Sequence, residues 1–188
     1  MKYSFVFAAL SFLFLIGKGN AMTYELTNEM AVNASANDIW AVYSSPDLPK
    51  LIVKLLPGVF ERIDYVRGKG GLGTILRLVY PPGSVPLTYK EEFVTIDHRK
   101  RLKEVLQIEG GYLAMGATFY MDSFEIIKTG RDSCVIRSKT EFEVPDEKNV
   151  DLKVSKYVSV DGLVSMATAI SKYVLDNKKR DGYIALVN

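Results

Sequence analysis

Four side chains that could transfer protons lie within one short part of the chain: Tyr89, Glu91, Lys103 and Asp122. They are a phenol, a carboxyl, an ammonium and a second carboxyl, and each can donate or accept a proton when its pKa is moved toward neutrality. The residues around them alternate in polarity, which is typical of β-strands. If these strands turn the four side chains toward one apolar space, the set predicts acid–base catalysis in a buried pocket.

Three consecutive antiparallel strands with short connections are predicted to carry this set. They cover residues 89–96, 101–108 and 112–122, with a polar turn at 97–100 and a break at 109–111. Because side chains alternate between the two faces of a strand, Tyr89 and Glu91 share one face while Lys90 and Glu92 share the other. The alternative is a solvated face of a half-exposed sheet, since lysine and glutamate are rarely buried without a partner.

The rest of the chain supplies the elements that would position these strands. Further strands are predicted over residues 24–32, 59–66, 73–80 and 135–144, and helices from residue 35, over 48–55 and over 159–177. Apolar residues at every third or fourth position mark the last of these helices. The order predicts a seven-stranded antiparallel sheet curled around a long C-terminal helix, with two short helices after the first strand. The space between sheet and helix would form a concave, apolar ligand site.

The N-terminus predicts a secretory signal peptide. Lys2 provides a positive start, residues 4–16 form an apolar run, and Gly19-Asn20-Ala21 offers the small residues that a signal peptidase requires. A membrane anchor is the alternative, but the run is shorter than the roughly 20 apolar residues that span a bilayer. We therefore expect a signal peptide over residues 1–21 and a single domain over 22–188. The protein is expected in the secretory pathway, in the endoplasmic reticulum, the vacuole or both, without stable membrane insertion after signal removal.

Composition and motifs argue against several kinds of function. The chain has 188 residues, is 24% charged with a formal net charge of +2, and has no basic block of the kind that binds nucleic acid. Residues 68–73 have the letters of a dinucleotide fingerprint, but the strand-like residues after them predict a hairpin loop rather than the required helix. The one histidine, His98, lies in a turn, and the one cysteine, Cys134, reads as a small core residue. Neither a metal nor an organic cofactor is therefore expected.

Several short motifs, together with the glycine-rich loop and the long C-terminal helix, match a known family. These motifs are Leu55-Leu56-Pro57-Gly58-Val59-Phe60-Glu61, Tyr89-Lys90-Glu91, Arg101-Leu102-Lys103, Gln107-Ile108-Glu109-Gly110-Gly111-Tyr112-Leu113, Phe119-Tyr120-Met121-Asp122 and Asp132-Ser133-Cys134-Val135-Ile136. The chain resembles the birch-pollen-allergen (Bet v 1) or PR-10 family, which implies an α+β helix-grip fold of the START type. Within it, the chain resembles the plant norcoclaurine synthases, whose catalytic tetrad falls on Tyr89, Glu91, Lys103 and Asp122.

This resemblance implies a lyase that carries out a Pictet–Spengler condensation of dopamine with 4-hydroxyphenylacetaldehyde to (S)-norcoclaurine, without a cofactor. In the roles that we assign, Lys103 holds a catechol hydroxyl and helps to deprotonate it, and Glu91 removes the ring proton. Asp122 assists at the amine or carbinolamine, and Tyr89 hydrogen-bonds substrate or shapes the mouth of the cavity. The apolar substrate walls are expected to be Phe60, Leu78, Tyr80, Leu113 and Met166.

Two other functions stay open at this point. One is a non-catalytic PR-10 carrier of small hydrophobic ligands, and the other is a related alkaloid-modifying enzyme that uses the same acid–base set. A passive apolar pocket has little reason to bury a lysine beside two acids, because burying charge is costly. The partners implied are the two small-molecule substrates, with no nucleic acid, and a homodimer is possible.

Overall fold

The computed structural model describes residues 21–145 and 153–187, with residues 179–187 described by their backbone only. Its strands are β1 (Ala21–Val32), β2 (Arg62–Arg67), β3 (Ile75–Val79), β4 (Thr88–Asp97), β5 (Leu102–Gly110), β6 (Phe119–Lys128) and β7 (Cys134–Pro145). Its helices are α1 (Ala36–Tyr43), α2 (Leu48–Leu55), α3 (Gly111–Ala114) and α4 (Asp161–Val187). The predicted signal peptide, residues 1–21, lies outside the described residues except for Ala21.

The seven strands form one antiparallel sheet in the order β1-β7-β6-β5-β4-β3-β2. Because β1 and β2 lie at opposite edges, the connection through α1 and α2 crosses from one edge of the sheet to the other. Helix α4 contacts α1, α2, β1 and β7. The predicted seven-stranded sheet, long C-terminal helix and two short helices are therefore confirmed.

Within the described residues, no helix is both long and apolar enough to span a bilayer.

One predicted strand is wrong at its start. The strand expected from Tyr112 begins only at Phe119, because the short helix α3 precedes it. Gly110 and Gly111 adopt φ angles of 75° and 52°, which turn the backbone out of the extended conformation. Gln107 then fixes the turn, since its Oε1 accepts a hydrogen bond from the backbone N–H of Leu113 at 3.2 Å.

Other predicted bounds differ by three to ten residues. Strand β1 begins at Ala21, three residues before the predicted start, because its pairing with β7 continues to Ala21 opposite Pro145. Strand β2 begins at Arg62 rather than at residue 59, and α4 continues to Val187 rather than ending at residue 177. Element type and order are unaffected by these differences.

Helix α1 begins where the sequence predicts it. The Ser35 hydroxyl accepts a hydrogen bond from the backbone N–H of Asp38 at 3.2 Å, which satisfies one of the free N–H groups of the first turn. The Asp38 carboxylate, which is favourable near a helix N-terminus, also accepts a hydrogen bond from the Ser35 hydroxyl at 2.7 Å. Together these contacts fix the direction in which the chain leaves β1.

Two clusters of buried apolar side chains hold the sheet to the helices. The larger cluster joins α1, α2, the sheet and α4, and includes Ile39, Ile136 and Ile170. The smaller cluster joins α3 to β6 and β7 and includes Tyr112 and Phe142. The free cysteine, Cys134, is buried in the larger cluster, which confirms the prediction that it is a core residue.

The glycine-rich loop is a hairpin between β2 and β3, as predicted. Gly70 has a φ of 96° and lies directly against Pro46, in the connection between α1 and α2. Its backbone N–H donates to the Thr74 hydroxyl at 2.9 Å, and the nearby Tyr65 hydroxyl donates to the Pro46 carbonyl at 2.6 Å. The loop therefore supports the α1–α2 corner.

Replacing Gly70 with alanine is expected to lower the free energy of unfolding by about 3 kcal/mol or more, because backbone strain and a steric clash add together. A Cβ at this position would collide with the Pro46 backbone. Gly58→Ala is the matched control: its φ is 82°, and nothing lies within 4 Å of the added carbon. That change should cost only the backbone term of about 1–2 kcal/mol. Urea unfolding of both variants measures the difference, and equal losses would contradict a supporting role for the Pro46 contact.

Candidate active site

A cavity of about 280 Å³ lies between the sheet and the helices. Its walls come from α2, from the inner faces of β3 to β6, from residues 84–86 of the β3–β4 hairpin and from the first turns of α4. Three large apolar lining residues are also exposed on the outside of the molecule: Val59, Val85 and Tyr157. These three residues mark the mouth of the cavity, and the concave apolar site that the fold predicts is present.

Alternation along β4 turns every second side chain into the cavity. Tyr89, Glu91 and Phe93 line it, whereas Lys90 and Glu92 bond to surface partners on the other face. The β4–β5 pairing has irregularities on both sides of this stretch, between residues 90 and 91 and between residues 93 and 95. These β-bulges locally increase the twist of the strand, and such irregularities are frequent beside functional sites.

Strands β5 and β6 bring the other two members of the set to the same cavity. Lys103 and Val105 line it from β5, and Asp122 lines it from β6, where it is the register partner of Val105. Phe93 of β4 is the register partner of Val105 on its other side. The phenol, the two carboxyls and the ammonium therefore meet on the inner face of three adjacent strands, as the sequence predicts.

Lys103 is almost completely buried, with 2% of its surface exposed. Its Nζ donates to the backbone carbonyl of Tyr43 at 3.3 Å and lies 3.8 Å from the centroid of the Phe93 ring. Tyr43 is the last residue of α1, so this carbonyl is one that the helix leaves free and that carries partial negative charge. Among the described residues, none of the ion pairs involves Lys103.

Burial lowers the pKa of the Lys103 ammonium. Desolvation lowers the pKa of this ammonium to about 8, and the Glu91 carboxyl opposes that shift. A lysine in this range can hold a substrate hydroxyl as a cation and can also exchange its proton near neutral pH. The backbone carbonyl and the aromatic face keep the ammonium in place without neutralising it.

The two carboxyl groups are also shifted toward neutrality. Desolvation raises the pKa of Glu91 to about 8; the Asp122 charge adds to this shift and Lys103 opposes it. Desolvation raises the pKa of Asp122 to about 7, although its Oδ1 accepts a hydrogen bond from the Thr140 hydroxyl at 2.6 Å. Both carboxyls line the cavity. Two acids with different neighbours in one site can take different roles in proton transfer.

Tyrosines form much of the wall around these carboxyls. The hydroxyl oxygens of Tyr80 and Tyr89 lie 3.1 Å apart, and the Tyr112 hydroxyl donates to the Tyr157 carbonyl at 2.9 Å. Burial raises the pKa of the Tyr89 phenol well above its ordinary value and that of Tyr112 to about 12. The Tyr89 and Tyr112 phenols therefore keep their protons near neutral pH, and Tyr89 can act as a hydrogen-bond donor.

The structure brings eight of the nine predicted site residues to the cavity. They are Tyr89, Glu91, Lys103, Asp122, Phe60, Leu78, Tyr80 and Met166. Leu113 lies elsewhere: it belongs to α3 and packs against the smaller hydrophobic cluster. Its contact with substrate stays a prediction, as do the roles assigned to the others.

Sequence reasoning missed two residues that hold the reactive groups. Tyr43 supplies the carbonyl for Lys103, and Thr140 supplies the hydroxyl for Asp122. Thr140 could have been found, because alternation along β7 places it on the inner face and it pairs in register with Asp122.

Within the described part of the chain, no three His, Cys, Asp or Glu side chains are grouped so that they could hold a metal ion.

Residues 21–177 match the sequence model of the Pathogenesis-related protein Bet v 1 family. The chain belongs to the Bet v 1 family. The matched range contains every strand of the sheet and every cavity residue named above. The helix-grip fold that the motifs imply is thus the fold of this Bet v 1 member.

Among proteins of this family, the chain is similar to S-norcoclaurine synthases. It is 49% identical to S-norcoclaurine synthase 2 of Papaver somniferum over 167 residues, which is 88% of this chain and 71% of that protein. It is 46% identical to S-norcoclaurine synthase of Thalictrum flavum subsp. glaucum over 166 residues, which is 88% of this chain and 78% of that one. By their names, these relatives are enzymes that form S-norcoclaurine.

The similarity extends to three dimensions. The norcoclaurine synthase of Thalictrum flavum has been solved in complex with dopamine and hydroxybenzaldehyde, and this Bet v 1 member superposes on it with a TM-score of 0.79. Sequence identity in that comparison is 45%, covering 87% of this chain and 96% of that structure. The relative thus binds an aromatic amine and an aromatic aldehyde within the same fold.

Proposed function

We propose that this protein condenses dopamine with 4-hydroxyphenylacetaldehyde to (S)-norcoclaurine, as a cofactor-independent lyase. The observation that carries the proposal is the meeting of Lys103, Glu91, Asp122 and Tyr89 on the inner wall of one largely apolar cavity. The similarity to S-norcoclaurine synthases supports the choice of amine and aldehyde.

The first half of the reaction joins the substrates and releases water. The dopamine nitrogen attacks the aldehyde carbon to give a carbinolamine, which becomes an iminium ion when its hydroxyl leaves as water. That departure needs a proton donor, and Asp122 with its pKa near 7 can supply the proton at neutral pH. Tyr89, which keeps its proton, can donate a hydrogen bond to the substrate.

The second half closes the ring. A carbon of the catechol ring attacks the iminium carbon, so a carbon–carbon bond forms and the ring temporarily loses its aromaticity. Lys103 binds a catechol hydroxyl and favours its deprotonation, which makes the ring a better nucleophile. Glu91 then removes the proton from the attacked ring carbon, and aromaticity returns. Apolar walls such as Phe60 and Leu78 keep both rings out of water.

A non-catalytic carrier is the competing function. A carrier needs an apolar cavity of this size but has no use for a buried lysine with two carboxyls beside it. Burying Lys103 and Glu91 destabilises the fold, because both pKa values are moved by desolvation. Ionisable groups that destabilise the fold and yet line the cavity favour an enzyme over a carrier.

Asp122, with its pKa of about 7, loses the proton that it donates as the pH rises, which lowers the rate at high pH. Below that limit, the rate of (S)-norcoclaurine formation is expected to rise from pH 6 to a maximum between about pH 7 and pH 8. The reason is that Glu91 must be ionised to remove the ring proton, and burial raises its pKa to about 8. The measurement is the initial rate of (S) product against pH, after subtraction of the racemic background at each pH. A rate that stays flat over this range would contradict the assignment of Glu91 as the base.

The test of the proposed function uses the protein without its predicted signal peptide, residues 22–188. Dopamine and 4-hydroxyphenylacetaldehyde are supplied, and chiral chromatography follows the ratio of (S) to (R) product against a buffer blank. The blank is needed because the condensation also proceeds slowly without enzyme and then gives racemate. A large (S) excess supports the synthase, whereas racemate at the blank rate would leave the carrier as the better account.

A further inference from the structure

Two phenol hydroxyls form a pair on the cavity wall nearest the mouth. Tyr80 follows β3 directly, Tyr89 lies on β4, and their hydroxyl oxygens are 3.1 Å apart. The Tyr80 ring lies 5.1 Å from that of Phe60 and 5.9 Å from that of Tyr89, measured between centroids. Val85, which marks the mouth, belongs to the hairpin that joins these two strands.

The pair has one hydrogen left to donate. Two neutral phenols carry two hydroxyl hydrogens, and the bond between them uses one. Burial raises the pKa of both Tyr80 and Tyr89, so both hydroxyls stay protonated. Among the described residues, neither hydroxyl has another hydrogen-bond partner. One O–H group and several lone pairs are therefore available to a ligand, and the existing bond strengthens that O–H as a donor.

The distance from Lys103 suits a substrate that has two aromatic rings. Lys103 lies over Phe93, which is four residues from Tyr89 on the same strand. With a strand rise of about 3.3 Å per residue, this separation is roughly 13 Å. Two phenyl rings joined by a short chain span about this length. A ring whose hydroxyl is bound at Lys103 thus leaves the second ring beside the phenol pair.

We propose that the Tyr80–Tyr89 hydroxyl pair binds the ring hydroxyl of the aldehyde, which makes Tyr80 a specificity-determining residue. The inference rests on the proposed function, since it takes the catechol to be at Lys103. Phe60 and Leu78 of this wall offer the second ring only apolar contact. An aldehyde without a ring hydroxyl would leave the pair with an unused buried donor, which costs binding free energy.

Tyr80→Phe tests the proposal through selectivity. We expect the ratio of kcat/KM for 4-hydroxyphenylacetaldehyde to that for phenylacetaldehyde to fall about 3- to 10-fold, the range that one net hydrogen bond supports. Tyr65→Phe is the matched control: it also removes a tyrosine hydroxyl with one hydrogen bond, but Tyr65 does not line the cavity. This control should leave the ratio unchanged. Equal losses for both aldehydes in Tyr80→Phe, or an unchanged ratio, would overturn the proposal.

A binding measurement separates this proposal from the question of catalysis. The unreactive alcohols 2-(4-hydroxyphenyl)ethanol and 2-phenylethanol, titrated calorimetrically in the presence of dopamine, report recognition without condensation. The protein should prefer the phenolic alcohol, and Tyr80→Phe should remove most of that preference even if no (S) product were ever formed. The double variant Tyr80→Phe/Tyr89→Phe should show nearly the same preference for the phenolic alcohol as Tyr89→Phe alone, because the two hydroxyls act as a pair. No preference in the unaltered protein, or additive losses, would count against the pair.

Discussion

Lys103→Met is expected to abolish the (S) excess and to lower kcat by about 10²- to 10⁴-fold, the range typical of a positioned acid–base group. Methionine keeps the length and apolar body of the side chain but cannot bind a catechol hydroxyl. Substrates should still enter the cavity, because its other walls are unchanged. Chiral chromatography measures the product ratio, and single-turnover kinetics separate the chemical step from binding.

The fold of this variant should be at least as stable as that of the original protein. The pKa of Lys103 is depressed in the fold, so stability is lost as pH falls from the ordinary lysine value through about 8. At pH 7 the ammonium therefore destabilises the protein, and methionine removes this effect. Lys90→Met is the matched control, since Lys90 lies on the opposite face of β4 and pairs with Glu109. Near-full turnover in a folded Lys103→Met protein would show that Lys103 has no part in the chemistry.

Glu91→Gln is expected to lower turnover by about 10²-fold or more and to raise stability at neutral pH. Glutamine has the shape of the protonated acid but cannot accept the ring proton. The pKa of Glu91 is raised in the fold, so its contribution to stability is complete below its ordinary value of 4.5 and is lost as pH rises through about 8. Removing the charge should therefore add on the order of a few kcal/mol at pH 8.

Urea unfolding at several pH values tests the expected gain in stability of Glu91→Gln. In the original protein, the free energy of unfolding should fall between about pH 5 and pH 8, and in Glu91→Gln this fall should be smaller. Glu92→Gln is the control, because Glu92 is the next residue of β4, faces outward and pairs with Arg67 at 2.8 Å. If the two variants had the same pH dependence and the same turnover, a buried catalytic carboxyl at position 91 would be ruled out.

Alternation along a strand predicted that Glu91 and Glu92 lie on opposite faces, and the family resemblance indicated which of the two enters the cavity. Glu91 and Glu92 are chemically equivalent neighbours, yet one lines the cavity and the other forms a surface ion pair. A period of two determines this outcome, because adjacent strand residues cannot share a face. Lys103 and Asp122, which the resemblance assigned to the site, also line the cavity, and the three- and four-residue spacing of apolar residues identified α4.

Contacts between distant parts of the chain could not be predicted in this way. Tyr43 is 60 residues from Lys103, and their hydrogen bond depends on how α1 packs against the sheet. The pairing of the Tyr80 and Tyr89 hydroxyls likewise depends on the path of the β3–β4 hairpin. Periodicity describes the faces of each element separately, and it contains no information on which faces meet.

The strand predicted from Tyr112 failed for a more local reason. The sequence predicts a break between strands at Gly110 and Gly111, but their positive φ angles start a helical turn instead. The Gln107 side chain closes that turn through the Leu113 N–H, a role that its place on an inward strand face did not reveal. Leu113 consequently joins the smaller cluster rather than the cavity wall.

The reactivity of the buried Cys134 thiol can report transient opening of the protein core. It is the single cysteine of the chain, 1% of its surface is exposed, and burial raises its pKa to about 11. A thiol-specific reagent should therefore react only when a fluctuation exposes the core. The rate of thiol labelling under native conditions would show how often the core opens in each variant. A variant that loses turnover while its thiol stays protected has lost chemistry alone.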